Sequence, residues 1–91
     1  MEGSTAMKTF DYTIKDELGI HARPAGMLAK TAKSLDSEIT VTKGGKTVGA
    51  KKLMALMGLG VKCGDTVTIT ANGGNEEAAL ETIRRFLEVN L

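Results

Sequence analysis

Residues that could do chemistry are concentrated in one eight-residue segment, Gly19-Ile20-His21-Ala22-Arg23-Pro24-Ala25-Gly26. It contains the only histidine and the only proline of the 91-residue chain. Pro24 is compatible with a first helical turn, because the N–H that it lacks would have no partner within the helix. A turn that starts just after His21 directs the free amides of Ala22 and Arg23 toward the imidazole, at the positive end of the helix dipole. The segment therefore predicts an anion site that contains a nucleophile.

The residue types in this segment favour phosphoryl chemistry. The planar guanidinium of Arg23 matches phosphate oxygens, and a neutral imidazole keeps one unprotonated nitrogen available near pH 7. Such a site would accept a phosphoryl group on His21 and hold it with Arg23 and the backbone amides. On residue types alone, the commoner alternative is a capping or packing histidine beside a solvated arginine. No second acid or base is expected near His21.

Hydrophobic periodicity predicts the elements that must position this segment, in the order β-α-β-β-α-β-α. Phe10, Tyr12 and Ile14 alternate with polar residues as a first strand, and an apolar stripe from Ala25 to Leu35 predicts a helix that starts near Pro24. Each strand has one apolar and one threonine-rich face, which predicts a two-layer α+β fold with one solvent-facing sheet surface. The other predicted elements are strands over 38–42, 46–50 and 66–71, a short helix over 53–57 closed by Gly58, and a last helix that starts after Asn75 and buries Ala79, Ile83, Phe86 and Leu87.

Length and composition set limits on the function. With 42% hydrophobic and 25% charged residues, the chain fits one soluble globular domain. We interpret residues 1–6 as an expression scar or disordered lead and residues 7–91 as the domain. No apolar run reaches the roughly 20 residues that cross a bilayer, and no signal peptide is evident, so we expect a cytoplasmic protein without direct membrane insertion. One cysteine with one histidine makes no specific metal site, and three aromatic residues are too few for a nucleic-acid platform, so no metal and no nucleic acid is expected.

The net charge of +1 conceals an uneven layout along the chain. Residues 23–62 contain eight basic side chains and two acidic ones, and the remainder is acidic overall. Most charge runs are solvated faces. The alternative is a basic surface that attracts an acidic partner.

The segment at 19–26 resembles the phosphorylation-site signature of HPr, the histidine-containing phosphocarrier family of the phosphoenolpyruvate-dependent sugar phosphotransferase system (PTS). Parts of residues 45–60, including Leu53-Met54-Ala55-Leu56-Met57-Gly58-Leu59-Gly60, resemble the hairpin and short second helix of that family, and Glu38-Ile39-Thr40-Val41 is also similar. The resemblance extends from Met7 to about Leu91. It implies an HPr-like open-faced β-sandwich, with a four-stranded antiparallel sheet of order 1-4-2-3 and three helices on one face.

The resemblance also implies roles for the residues of the segment. His21 would be phosphorylated at Nδ1, Arg23 would steady the phosphoryl group, and the amides of Ala22 and Arg23 would bind it. The implied function is that of a monomeric carrier protein, rather than an enzyme, without a cofactor. It would take a phosphoryl group from phospho-enzyme I and pass it to enzyme IIA proteins or domains during sugar uptake.

The main alternative is an HPr-like regulatory or nitrogen-branch paralogue that acts mainly by protein binding. Regulatory relatives of that kind lack the histidine, so His21 favours the carrier. Sugar and nitrogen branches share the chemistry, and the sequence does not separate them. A ferredoxin-like ligand-binding module would not need a histidine at a helix start.

A carrier must expose its phosphohistidine and dock several partners around it. If Leu56 and Leu59 of the short helix enter the core, three apolar side chains of that helix face outward, and methionine is common on surfaces with several partners. Periodicity alone favours surface and core about equally, and the resemblance favours the surface. The predicted partner-binding residues are Met27, Lys30, Leu53, Met54 and Met57, with Lys33, Lys51 and Lys52 at the rim.

The chain departs from the family at residue 52. Many HPr proteins carry a serine there that a dedicated kinase phosphorylates in some bacteria, whereas this chain carries Lys52. Lysine has no hydroxyl to modify and fixes a positive charge where phosphorylation would add about two negative charges. We expect a carrier that is not regulated at this position.

Overall fold

The computed structural model describes residues 7–91, and the predicted lead at residues 1–6 lies outside this range. The predicted order of elements is confirmed, and helix α1 begins two residues before Pro24. The elements are β1 (Met7–Thr13), α1 (Ala22–Lys33), β2 (Glu38–Lys43), β3 (Lys46–Gly49), α2 (Leu53–Gly58), β4 (Thr66–Asn72) and α3 (Glu76–Asn90).

The four strands form one antiparallel sheet in the order β1-β4-β2-β3, as the resemblance implied. The register places Thr13 opposite Thr66 and Thr42 opposite Thr47. The hydroxyl oxygens of these two pairs lie 2.8 and 2.7 Å apart, within hydrogen-bond distance. Polar side chains therefore pair across strands on the open face of the sheet, and the three helices cover the other face.

The core lies between the sheet and the helices. Leu56 of α2 is fully buried and Leu59, which follows α2, is nearly so, which confirms that these two side chains enter the core. Leu35 and Phe86 were expected in the buried stripes and are only partly buried, because Leu35 follows the end of α1 and Phe86 lies at the margin of the α3 stripe. The largest fully buried apolar side chains are Ile14, Leu28, Ile39, Val41, Leu56, Val67, Ile69, Ile83 and Leu87.

Among residues 7–91, no helix is both long enough and apolar enough to cross a membrane.

Candidate functional site

His21 is the residue at the start of α1. Its backbone is extended, with φ −98° and ψ −176°, and its carbonyl oxygen accepts the first helical hydrogen bond from the Ala25 N–H at 2.9 Å. The N–H groups of Ala22 and Arg23 precede that bond, and Pro24 has none, so two amides at this helix end have no partner in the helix. The imidazole makes no capping hydrogen bond within the described residues and is 36% exposed. It is therefore open to a reacting group at the positive end of a helix dipole.

An open pocket of about 260 Å³ lies against the imidazole. It brings together His21, Arg23 and Met27 of the residues predicted from the sequence, whereas Ala22 is exposed beside it. The other lining residues are Pro24 from α1, Val89 and Asn90 from the end of α3, and Asp16 from the β1–α1 loop. Among residues 7–91, no group of three or more His, Cys, Asp or Glu side chains is arranged to hold a metal ion.

The expectation that no acid or base lies near His21 is wrong. Oδ1 of Asp16 is 3.9 Å from Nε2 of His21, and both side chains are about one-third exposed. The same Oδ1 accepts the Leu18 N–H at 2.8 Å, which is a tight turn of the kind that aspartate often makes with the backbone two residues on. The sequence signal that could have predicted this contact is an aspartate five residues before the histidine, with a glycine between them.

The loop that contains Asp16 is attached to the end of α3. The N–H groups of Lys15 and Asp16 both donate to a backbone oxygen of Leu91, at 2.6 and 2.9 Å. Leu91 is buried and does not line the pocket. Its neighbours Val89 and Asn90 do, so the end of α3 both forms one wall of the site and fixes the loop opposite that wall.

Gly19 allows the loop to reach the start of α1. Its φ is +69°, in the left-handed region that favours glycine, and a Cβ at this position would collide with the carbonyl oxygen of Val61. Next in the chain, the Ile20 N–H donates to that same oxygen at 3.1 Å. The backbone before His21 therefore packs directly against the segment that precedes β4.

The apolar side chains predicted to dock partners are exposed on two neighbouring helices, α1 and α2, which pack against each other. Met54 is the most exposed at 75%, and Met27, Leu53 and Met57 are each between 37% and 42% exposed. Three further exposed apolar residues were not predicted from the sequence, because single positions give no periodic signal: Met7 at the start of β1, Leu18 in the β1–α1 loop and Val89 at the pocket. Met27, Leu53, Met54 and Met57, together with Val89, which lines the pocket with Met27, are called the apolar surface below.

The basic residues of the middle segment have separate roles. The predicted rim residues Lys30, Lys33, Lys51 and Lys52 are all exposed. Lys43 instead contacts Asp65 at 3.0 Å and donates a hydrogen bond to the Gly60 carbonyl, so it ties β2 to the loop before β4. The Lys62 backbone N–H and then the Lys43 ammonium hold the pKa of Asp65 below its usual value.

Lys52 occupies the residue immediately before α2. Its backbone is extended, and its side chain is exposed and makes no capping hydrogen bond within the described residues. The side chain therefore stands at the start of the helix that bears Leu53, Met54 and Met57, as the sequence predicted.

The sequence of the chain is similar to those of known proteins of one family. The family model "PTS HPr component phosphorylation site" matches residues 8–89. The phosphocarrier protein HPr of Mycoplasma genitalium is 45% identical over 85 residues, which are 92% of this chain and 97% of that protein.

Solved structures agree with these matches. The crystal structure of phosphocarrier protein HPr from Bacillus anthracis superposes with a TM-score of 0.84 at 34% identity, covering 90% of this chain and 98% of that one. The catabolite repression protein Crh of Bacillus subtilis, solved as a domain-swapped dimer, is also similar, with a TM-score of 0.73 and 34% identity over 88% of this chain and 92% of its own.

Proposed function

The chain belongs to the HPr family of PTS phosphocarrier proteins, and from this we propose that His21 carries a phosphoryl group from phospho-enzyme I to enzyme IIA proteins or domains. One observation supports this most directly. The exposed His21 imidazole stands at the start of α1, beside Arg23 and two amides that the helix leaves unpaired. These groups are the donors and the charge that a phosphoryl group requires.

Phosphoryl transfer needs little beyond positioning and charge stabilisation. Nδ1 of His21 would attack the phosphorus in line with the departing donor atom, and the transferred oxygens would be held by the Arg23 guanidinium and the amides of Ala22 and Arg23. Because Arg23 is exposed at the edge of an open pocket, the group would remain accessible to the next acceptor. The phosphohistidine is an intermediate that two successive partners must reach, so an enclosed cavity would hinder it.

We propose that the apolar surface and its rim of Lys30, Lys33, Lys51 and Lys52 dock both partners. Apolar contacts would provide adaptable affinity, and the lysines would attract acidic surfaces. Association with enzyme I should therefore slow markedly as salt is added, because exposed charges are screened within about 8 Å at 0.15 M ionic strength. A rate of association that is flat with salt would contradict the role of the lysines.

The phosphorylation itself has a direct test. The protein is incubated with phosphoenolpyruvate and enzyme I, and its mass is measured before and after acid treatment. The expected product carries one acid-labile phosphate, and His21→Ala removes it while the circular dichroism spectrum stays unchanged. Addition of an enzyme IIA protein should then discharge the phosphate. Normal labelling of His21→Ala would refute the assignment of His21.

The likeness to the catabolite repression protein Crh supports a second candidate, a regulatory protein that acts mainly by binding, and a nitrogen-branch carrier is the other alternative. The regulatory protein would require the apolar surface but not the imidazole, whereas the nitrogen-branch carrier would require both. The same assay separates the two: a binding protein would remain unlabelled by enzyme I, whereas a nitrogen-branch carrier would be labelled and would discharge to a different set of IIA acceptors.

We further propose that the carrier acts as a monomer in the cytoplasm, and that it is not regulated by phosphorylation because residue 52 is a lysine. Size-exclusion chromatography with light scattering tests the first point, and a dimer at micromolar concentration would contradict it. Incubation with an HPr kinase and ATP tests the second. We expect no labelling of the wild-type chain, and labelling of Ser34 or Ser37 would contradict the absence of a switch.

A further inference from the structure

Asp16 is an acidic residue beside the imidazole that the proposed function does not use. Its Oδ1 lies 3.9 Å from Nε2 of His21, which is longer than a formed hydrogen bond. Hydrogen bonds of catalytic groups are often long before the reaction complex forms and shorten within it. The carboxylate faces Nε2, the nitrogen that a phosphoryl group on Nδ1 leaves unmodified.

The backbone holds Asp16 in this place from three directions. Its N–H donates to a backbone oxygen of Leu91 at 2.9 Å, its own carbonyl oxygen accepts the Gly19 N–H at 2.9 Å, and its Oδ1 accepts the Leu18 N–H at 2.8 Å. A carboxylate fixed in this way would need little rearrangement to approach the imidazole. It therefore has the properties of a group that orients another side chain.

We propose that Asp16 is a positioning residue that keeps the proton of the neutral His21 imidazole on Nε2, an inference that rests on the proposed phosphorylation of His21. A carboxylate that faces one ring nitrogen stabilises the tautomer with the proton on that nitrogen. The lone pair then lies on Nδ1. Without Asp16, a larger share of molecules would carry the proton on Nδ1, and those molecules could not attack.

The transfer then balances without movement of this proton. The Nδ1 lone pair forms the N–P bond while the bond from phosphorus to the phosphorylated donor protein breaks, and the donor atom keeps that electron pair. The ring retains its Nε2 proton and becomes an imidazolium that faces the Asp16 carboxylate. When the acceptor's nucleophile attacks the phosphorus, the N–P electron pair returns to Nδ1 and the starting tautomer is restored.

The test compares Asp16→Ala with wild type, and Glu17→Ala is the matched control. Alanine removes the Oδ1 that faces Nε2, while the backbone N–H and oxygen of residue 16 keep their bonds to Leu91 and Gly19. Glu17 is an exposed neighbour whose substitution makes the same change in net charge. Long-range ¹H–¹⁵N spectra of the unphosphorylated protein at alkaline pH report which ring nitrogen carries the proton. Stopped-time labelling by phosphoenolpyruvate and enzyme I reports the rate of phosphoryl acceptance.

We expect the proton on Nε2 in wild type and in Glu17→Ala. In Asp16→Ala the fraction on Nδ1 should rise severalfold and phosphoryl acceptance should slow by about tenfold, the usual size of an effect on an orienting partner. If His21 is labelled in wild type but Asp16→Ala keeps the wild-type tautomer and rate, the role of Asp16 is refuted alone. If wild-type His21 is not labelled, the proposed function fails, and this inference fails with it.

Discussion

Substitution of Gly19 by alanine should lower the stability of the protein for two reasons: the left-handed backbone conformation at this position and the close contact with Val61 before the His21 segment. At φ +69°, alanine adopts the left-handed region at a cost of roughly 1–2 kcal/mol. Its Cβ would also meet the Val61 carbonyl oxygen and lie 2.8 Å from the Lys62 Cα, so the two backbone segments must separate. That movement weakens the hydrogen bond from the Ile20 N–H to Val61, a further loss of roughly 0.5–1.5 kcal/mol.

Gly60→Ala provides the matched control. Gly60 has almost the same φ, +67°, but a Cβ there meets nothing within 4 Å. The Gly60→Ala variant should therefore lose only the stability that the backbone conformation costs, roughly 1–2 kcal/mol, whereas Gly19→Ala should lose roughly 1.5–3.5 kcal/mol in total. For a domain of this size, each kcal/mol corresponds to a fall in Tm of roughly 4–8 °C.

Urea unfolding and thermal scans measure these differences, and labelling by enzyme I measures the site. We expect Gly19→Ala to be less stable than Gly60→Ala and also slower to accept the phosphoryl group under conditions in which both are folded, because the displaced segment leads directly to His21. Equal stability of the two variants would refute the role of the Val61 contact. Equal labelling rates would refute the idea that this contact positions the imidazole.

Three further predictions concern separate features. Arg23→Ala should slow phosphoryl acceptance by about tenfold or more, because a charged hydrogen bond to the phosphoryl group is lost. Arg23→Lys keeps the charge without the planar guanidinium and should recover only part of the rate; labelling kinetics measure both variants. The pKa of Asp65 is held below its usual value, so the stability that its carboxylate contributes is fully present above the usual pKa and is lost as the pH falls through the lowered pKa. Below about pH 4, Asp65→Asn should therefore lose less stability than wild type does, as measured by urea titrations. Met54→Glu should weaken docking to enzyme I in binding measurements with little change in stability. The control is Met7→Glu, which should leave docking unchanged, because Met7 is exposed at the end of β1 that lies farther from the loop leading to His21.

Local patterns were sufficient to predict the helices, the strands and half of the site. The alternation in β1 and the repeat of apolar residues in α1 depend on spacings of two to four residues, which any stretch of sequence displays directly. His21 and Arg23 belong to the same kind of information, because a residue before a helix and its first turn are neighbours along the chain. The outward position of Leu53, Met54 and Met57 followed once Leu56 was assigned to the core.

The tertiary structure alone decided what surrounds the imidazole. The bond from the Asp16 N–H to Leu91 helps to hold Asp16 beside His21, and Gly19 is required because Val61 lies against it. These contacts join residues about 40 to 75 positions apart, and they form only after α3 and the loop before β4 have packed against the core. The sequence determined a nucleophile at a helix start. Long-range packing decided which carboxylate faces it, which wall adjoins it and how firmly it is held, because no local periodicity encodes contacts between distant segments.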